Sequence, residues 1–236
     1  MAGTNRRGAL GTPMSRAEII GGFLYLPLYV VGLGWLLGLL VDALDLRWSA
    51  ATVNLVYFLI NFLVIALVFR RWLIASLASI AHRFWAFVQA IILGFVFYYA
   101  LAWALAWVLD LLRLTAANPN DRFLDSLAAG NFYLVLVCTV LLAPLVEETL
   151  FRGLIFGNLH QKSRLLAYVL SALLFAVLHV WQYVGQVGWV ATLLVAIQYV
   201  PAGVALGWTY EKSDTIWAPI LVHCLINAVS MGILHG

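Results

Sequence analysis

Leu145-Val146-Glu147-Glu148-Thr149-Leu150-Phe151-Arg152 sets two carboxylates and a guanidinium inside a run otherwise apolar enough to cross a bilayer. A charge at the centre of a membrane helix costs about 2.5–3.5 kcal/mol per group on insertion scales. A chain carries that cost only where the groups face water or protein, so ionisable residues at such depth mark a functional site. The residues around the stretch decide the class. Of 236 residues, 65% are hydrophobic and 10% charged, against roughly 25% charged in soluble domains. Mean hydropathy is +1.01. The chain is expected to be an integral membrane protein, an all-α polytopic transmembrane bundle. Its net charge of +3 is assigned to Lys and Arg that anchor helices at the cytoplasmic surface, and no nucleic-acid partner is expected. Tyr and Trp, ten of each, suit interfacial belts. Cys138 and Cys224 sit in apolar runs and form no secreted disulfide pattern.

A span needs about 20 mainly apolar residues. Seven stretches qualify: 19–41, 50–69, 84–109, 132–156, 165–184, 187–210 and 215–234. The apolar run after the polar, basic start is too long for a cleaved signal, whose apolar region spans about 7–15 residues, so a retained first helix is expected. Seven spans put Arg6, Arg7, Arg16, Arg70, Arg71, Arg83, Lys162, Arg164 and Lys212 on one side, and Arg47, Arg113 and Arg122 on the other. The positive-inside rule then sets the N-terminus in the cytoplasm. Asn118-Pro119-Asn120-Asp121 is a turn signal, and 122–127 reads as a short interfacial helix. The expected organisation is a cytoplasmic segment 1–18, three accessory helices in 19–110, an extracytoplasmic connection 111–130, and a four-helix working core 131–236. The accessory spans carry only Asn54, Asn61 and Gln89 as notable polar residues.

Chemistry concentrates in the core. Glu148 and Arg152 are four apart, share a helix face and can pair. Glu147 is turned about 100° from Glu148, so it is free to point at a cavity, where a carboxylate suits a general base. The structural alternative is a buried ion-pair network. Phe175 and His179 share one face of the next span, and His223 and Asn227 one face of the last. A lone histidine on an apolar helix is more often a packed residue than a ligand. At about 1.5 Å per residue, Glu147, His179, His223 and Asn227 all reach about 14–24 Å from the flanking loops, so one depth can hold all four.

Two mechanisms use this set. Glu147 and His179 could hold and activate a water, with His223 and Asn227 stabilising an oxyanion. Alternatively Glu147, His179 and His223 could bind zinc, as three ligands with one open position. No His-Glu-x-x-His motif is present, so no metal cofactor is favoured; no Gly-x-Ser-x-Gly motif is present either, so a serine mechanism is less attractive. Pro144 is expected to kink its helix and free a carbonyl. Pro201 and Pro219 read as kinks, and Gly203 and Gly207 as close packing. His82, His160 and His235 are expected in solvent. Gln182, Gln186 and Gln198 could line a polar path.

Together, Glu147-Glu148-x-x-x-Arg152, Phe175-x-x-x-His179 and His223-x-x-x-Asn227 resemble the CPBP family: intramembrane endopeptidases related to type II CAAX prenyl proteases and bacteriocin self-immunity proteins. The likeness covers roughly residues 132–230 and leaves the first three helices without a signature. It implies a peptidase of the bacterial plasma membrane whose cavity opens to the cytosol. Glu147 and His179 would activate water, His223 and Asn227 would bind the oxyanion, and Glu148 and Arg152 would support them. The substrate would be a peptide or membrane protein at the bilayer, in one form prenylated. Two other classes remain open: a scaffold or immunity protein using the same cavity without catalysis, and a proton-coupled transporter. Against the transporter, no pair of broken segments signals inverted repeats.

Overall fold

The computed structural model describes residues 10–235, with backbone alone at 233–235. Arg6, Arg7 and most of the N-terminal segment therefore lie outside the described residues, as does the His235 side chain. Eight helical segments follow in order: α1 Arg16–Ala43, α2 Ala50–Val68, α3 Arg70–His82, α4 Phe84–Leu111, α5 Pro119–His160, α6 Arg164–Tyr183, α7 Trp189–Ser213 and α8 Trp217–His235. Six are long and apolar enough to cross a membrane, and the apolar part of α8, Trp217–Gly232, is shorter. These seven match the expected spans. Leu24, Trp85, Trp103 and Leu165 are among many apolar side chains on their outer faces. That is the surface a bilayer covers, since helices satisfy their own backbone polar groups there.

Local signals start the helices. Ser15 and Glu18 form a capping box at α1, satisfying two orphan amides. Ser49, Asn118 and Ser163 cap α2, α5 and α6, and Pro119 follows Asn118 at the first turn, where its missing N–H costs nothing. Asp214 closes α7 in the left-handed region, at φ 60°. The start of α5 is helical through 122–127, as expected, and bends at Asn131, whose φ of −162° and ψ of 90° are not helical.

One helix differs from expectation. The stretch 70–83 was expected to be a loop, yet α3 fills it. It is too short and basic to span, but Trp72, Leu73 and Ser76 make a buried stripe. That stripe packs into the main core with Phe69, Leu150, Leu154, Phe156, Tyr210 and Ile216. Gly153 permits the approach: a Cβ there would lie 2.5 Å from the Trp72 ring. A second close approach joins α6 to α7, where a Cβ on Gly203 would meet Ala172 Cα at 2.7 Å.

Prolines shape the helices that carry the site. In α5 a π-helical turn, Cys138–Leu142, sends the Ala143 N–H to the Cys138 carbonyl. The next amide belongs to Pro144, which has no hydrogen. The Thr139 carbonyl is thus left without a helix partner, the free carbonyl the sequence led one to expect. A second π-helical turn, Thr149–Phe156, follows Glu148; such turns are frequent at functional sites. In α7 the helix breaks at Tyr199, with Pro201 in the first turn of the second half.

Candidate active site

Glu148 and Arg152 meet as the four-residue spacing requires. Arg152 Nη1 donates to Glu148 Oε1 at 2.9 Å, and both side chains are wholly buried. Arg152 Nη2 donates to the Ala202 and Gly203 carbonyls at 3.2 and 3.4 Å, and the guanidinium lies 4.3 Å from the Phe175 ring centroid. This one cation ties α5 to α6 and α7. Glu148 Oε1 also accepts from His223 Nδ1 at 2.8 Å, which brings in α8. A buried charge is tolerated when it is paired and hydrogen-bonded in this way.

Glu147 takes no part in that network. Its Oε2 has no hydrogen-bond partner within the protein. It lies 3.9 Å from His179 Nε2 and 3.9 Å from His223 Nε2. Both rings are oriented from behind. His179 Nδ1 is 2.8 Å from the Phe175 carbonyl oxygen; a carbonyl only accepts, so that nitrogen carries the proton. His223 Nδ1 faces Glu148 in the same sense. In the neutral rings both Nε2 atoms are therefore lone pairs, aimed at one carboxylate oxygen. His179 is also clamped by the rings of Tyr199, stacked at 4.2 Å, and Phe175, at 4.6 Å.

Asn227 lines the same space but is partly committed. Its Nδ2 donates to the Thr139 carbonyl at 2.8 Å, the carbonyl that Pro144 leaves free. An amide nitrogen carries two hydrogens, so one remains for another acceptor. All four predicted residues thus border one cavity of about 430 Å³.

Sequence reasoning missed the tyrosines. Tyr29, Tyr57, Tyr98 and Tyr199 line the cavity instead of forming an interfacial belt. Tyr29 Oη donates to Glu147 Oε1 at 3.4 Å, and Tyr57 Oη donates to the Tyr29 carbonyl at 2.6 Å. The first two helices therefore build part of the site. Nothing in an apolar run marks one tyrosine as inward-facing; only the packing partner does. His160 was also misread as solvated: its ring stacks on Phe156 at 5.5 Å.

Zinc was the alternative for Glu147, His179 and His223. Bonds of about 2.0–2.2 Å around a tetrahedral zinc place donor atoms about 3.3–3.5 Å apart. Here the oxygen-to-nitrogen separations are 3.9 Å. Among the described residues no group of three His, Cys, Asp or Glu is arranged to hold a metal ion.

The cavity occupies one half of the bundle. It runs from Tyr29, Glu147 and His223 at mid-depth to Asn118, Asn120, Asp121, Gln182 and Tyr183. Those last residues sit where α5 begins and α6 ends. That end lies opposite Arg16, Arg83, Lys162 and Lys212. A cytoplasmic N-terminus and a cytoplasm-facing cavity were both expected; the cavity's lining runs toward the end away from those basic residues.

Residues 129–229 match the family described as type II CAAX prenyl endopeptidase Rce1-like. A Bacillus subtilis (strain 168) protein described as "Putative membrane peptidase YdiL" is 27% identical over 95 residues, 40% of this chain. The match spans about a third of that relative's length, 34%. No solved structure matches. The matched segment holds all three motifs, on helices that bring them to one cavity, and this part of the chain is similar to the family that its motifs resemble.

Proposed function

We propose that the protein is a membrane-embedded endopeptidase with Glu147 as general base. The observation that carries this is the convergence of Glu147 Oε2 with two imidazole lone pairs, each 3.9 Å away, on a cavity wall. A gap of that size between acceptors suits a water that donates to the carboxylate and to one ring. Glu147 takes the water's proton as its oxygen attacks a peptide carbonyl, then returns it to the departing amine. The second Asn227 amide hydrogen serves the developing oxyanion in this reading. His223 donates there from Nε2 only when both ring nitrogens are protonated, and Glu148 is the counter-ion for that state. Glu148 and Arg152 position His223 without touching substrate.

The substrate class is a peptide or membrane-protein segment at the bilayer; the family description brings a prenylated protein as one form. The description of the Bacillus subtilis relative supports a peptidase. The test is cleavage of a quenched-fluorescence peptide library by purified protein. Glu147→Gln should lower turnover by about 100–10,000-fold while the variant stays monodisperse and folded. Turnover retained at the native rate removes Glu147 as the base.

A further inference from the structure

The two halves of the bundle differ in closure. In the half with the basic residues, α3 lies across the helix ends and is tied from several sides. Trp72 Nε1 donates to the Thr12 carbonyl at 2.7 Å, and the Trp72 backbone N–H to Glu18 at 3.1 Å. Thr215 Oγ1 donates to the Ser76 carbonyl at 2.8 Å, and Trp217 Nε1 to the Leu73 carbonyl at 3.1 Å. Asp214 accepts from the Gly11 N–H and pairs with Arg83. Beneath these ties the apolar core is continuous from Trp72 through Leu150 and Phe156 to Tyr210. No cavity-lining residue belongs to α3 or to the last two turns of α5.

The other half holds the cavity and is amide-rich. Asn118, Asn120, Gln182 and Gln198 line the cavity toward that end. Some are held in place: Asn118 Nδ2 donates to Tyr199 Oη at 2.9 Å, and Gln198 Nε2 to the Ala116 carbonyl at 3.3 Å. Gln182 is exposed there. Carboxamides both donate and accept, which suits the alternating N–H and C=O of an extended peptide.

We infer that the cavity is entered from the extracytoplasmic side, and that its ligand is an extended peptide segment presented there. The sidedness follows from the distribution of Lys and Arg and from the end of the bundle toward which the cavity's lining runs. The substrate half rests on the endopeptidase reading; the access half does not. Segments confined to the N-terminal side of the membrane are then not substrates, because α3 and residues 10–15 close that route.

The experiment uses single cysteines in a Cys138→Ala, Cys224→Ala background. Asn120→Cys and Gln182→Cys sit at the mouth, and Lys162→Cys at the closed end. Intact cells producing each variant are treated with a membrane-impermeant maleimide. Labelling of both mouth positions in intact cells, and of Lys162→Cys only after permeabilisation, supports the access half. The reverse pattern overturns it. Either mouth variant suffices if the other fails to fold. Proteoliposomes of known orientation are then given an impermeant peptide substrate on one side at a time. Cleavage only from the face that exposes position 120 supports the substrate half, and cleavage only from the face of position 162 overturns it. Cleavage from neither face overturns the substrate half together with the endopeptidase reading, while the labelling pattern still decides access.

Discussion

Glu147 and Glu148 are neighbours in sequence with opposite expected responses to the same change. Glu148→Gln removes the counter-charge of Arg152, whose side chain has no exposed area and whose Nη1 lies 2.9 Å from Glu148. It also removes the acceptor at 2.8 Å from His223 Nδ1. Breaking a buried pair by deleting one partner costs about 3–5 kcal/mol, because the other charge stays buried. For a chain of this size each kcal/mol moves Tm by about 2–4 °C, so Glu148→Gln should lower it by about 6–20 °C. Glu147→Gln is different. Its nearest charged-group contacts are at 3.9 Å, and its hydrogen bond from Tyr29 is a long 3.4 Å, which glutamine can still accept. The expected change is under about 1 kcal/mol, or under about 4 °C. Tryptophan fluorescence on heating, in one detergent and with size-exclusion controls, reads both. Equal destabilisation by the two variants would show that both carboxylates are packing elements, and the division of roles would be wrong.

Further outcomes follow from single contacts. Tyr29→Phe should leave Tm nearly unchanged and lower kcat/KM by about 2–12-fold, the worth of one hydrogen bond of about 0.5–1.5 kcal/mol; an unchanged rate would make the contact with Glu147 incidental. Gly203→Ala places a Cβ 2.7 Å from Ala172 Cα and should cost about 1–3 kcal/mol by overpacking. Activity should fall with it, since the Gly203 carbonyl holds Arg152. Gly130→Ala, with nothing within 4 Å of the added carbon, is the control and should be within about 0.5 kcal/mol of the native protein. Chelation should leave peptide cleavage unchanged, with metal analysis far below one zinc per chain; zinc near one per chain that tracks activity would favour the metal reading.

Much of the site was legible because helical spacing is a rigid rule. Glu148 to Arg152, Phe175 to His179 and His223 to Asn227 each meet a shared partner or cavity because residues four apart share a face. Pro144 was also readable, since a missing amide hydrogen must strand a carbonyl; which side chain would claim it, Asn227, was not. The contribution of α1 and α2 stayed hidden. Tyr29 and Tyr57 lie in runs whose apolar character is uniform around the helix, so no periodicity points to their inner face. The helix α3 was hidden for a related reason: its arginines read as an anchoring loop, and its buried stripe of Trp72, Leu73 and Ser76 shows only against the core it covers. The closed end, and with it the direction of the cavity, depends on that helix.

Convergence of one carboxylate oxygen with two ring nitrogens is tested most directly by a double-mutant cycle on peptide cleavage, with Glu147→Gln, His179→Gln and the pair. Residues that hold one water act as a unit and are strongly non-additive. The predicted result is a double variant no slower than the slower single variant. Losses that multiply, each residue contributing its own factor, would contradict a shared water between them.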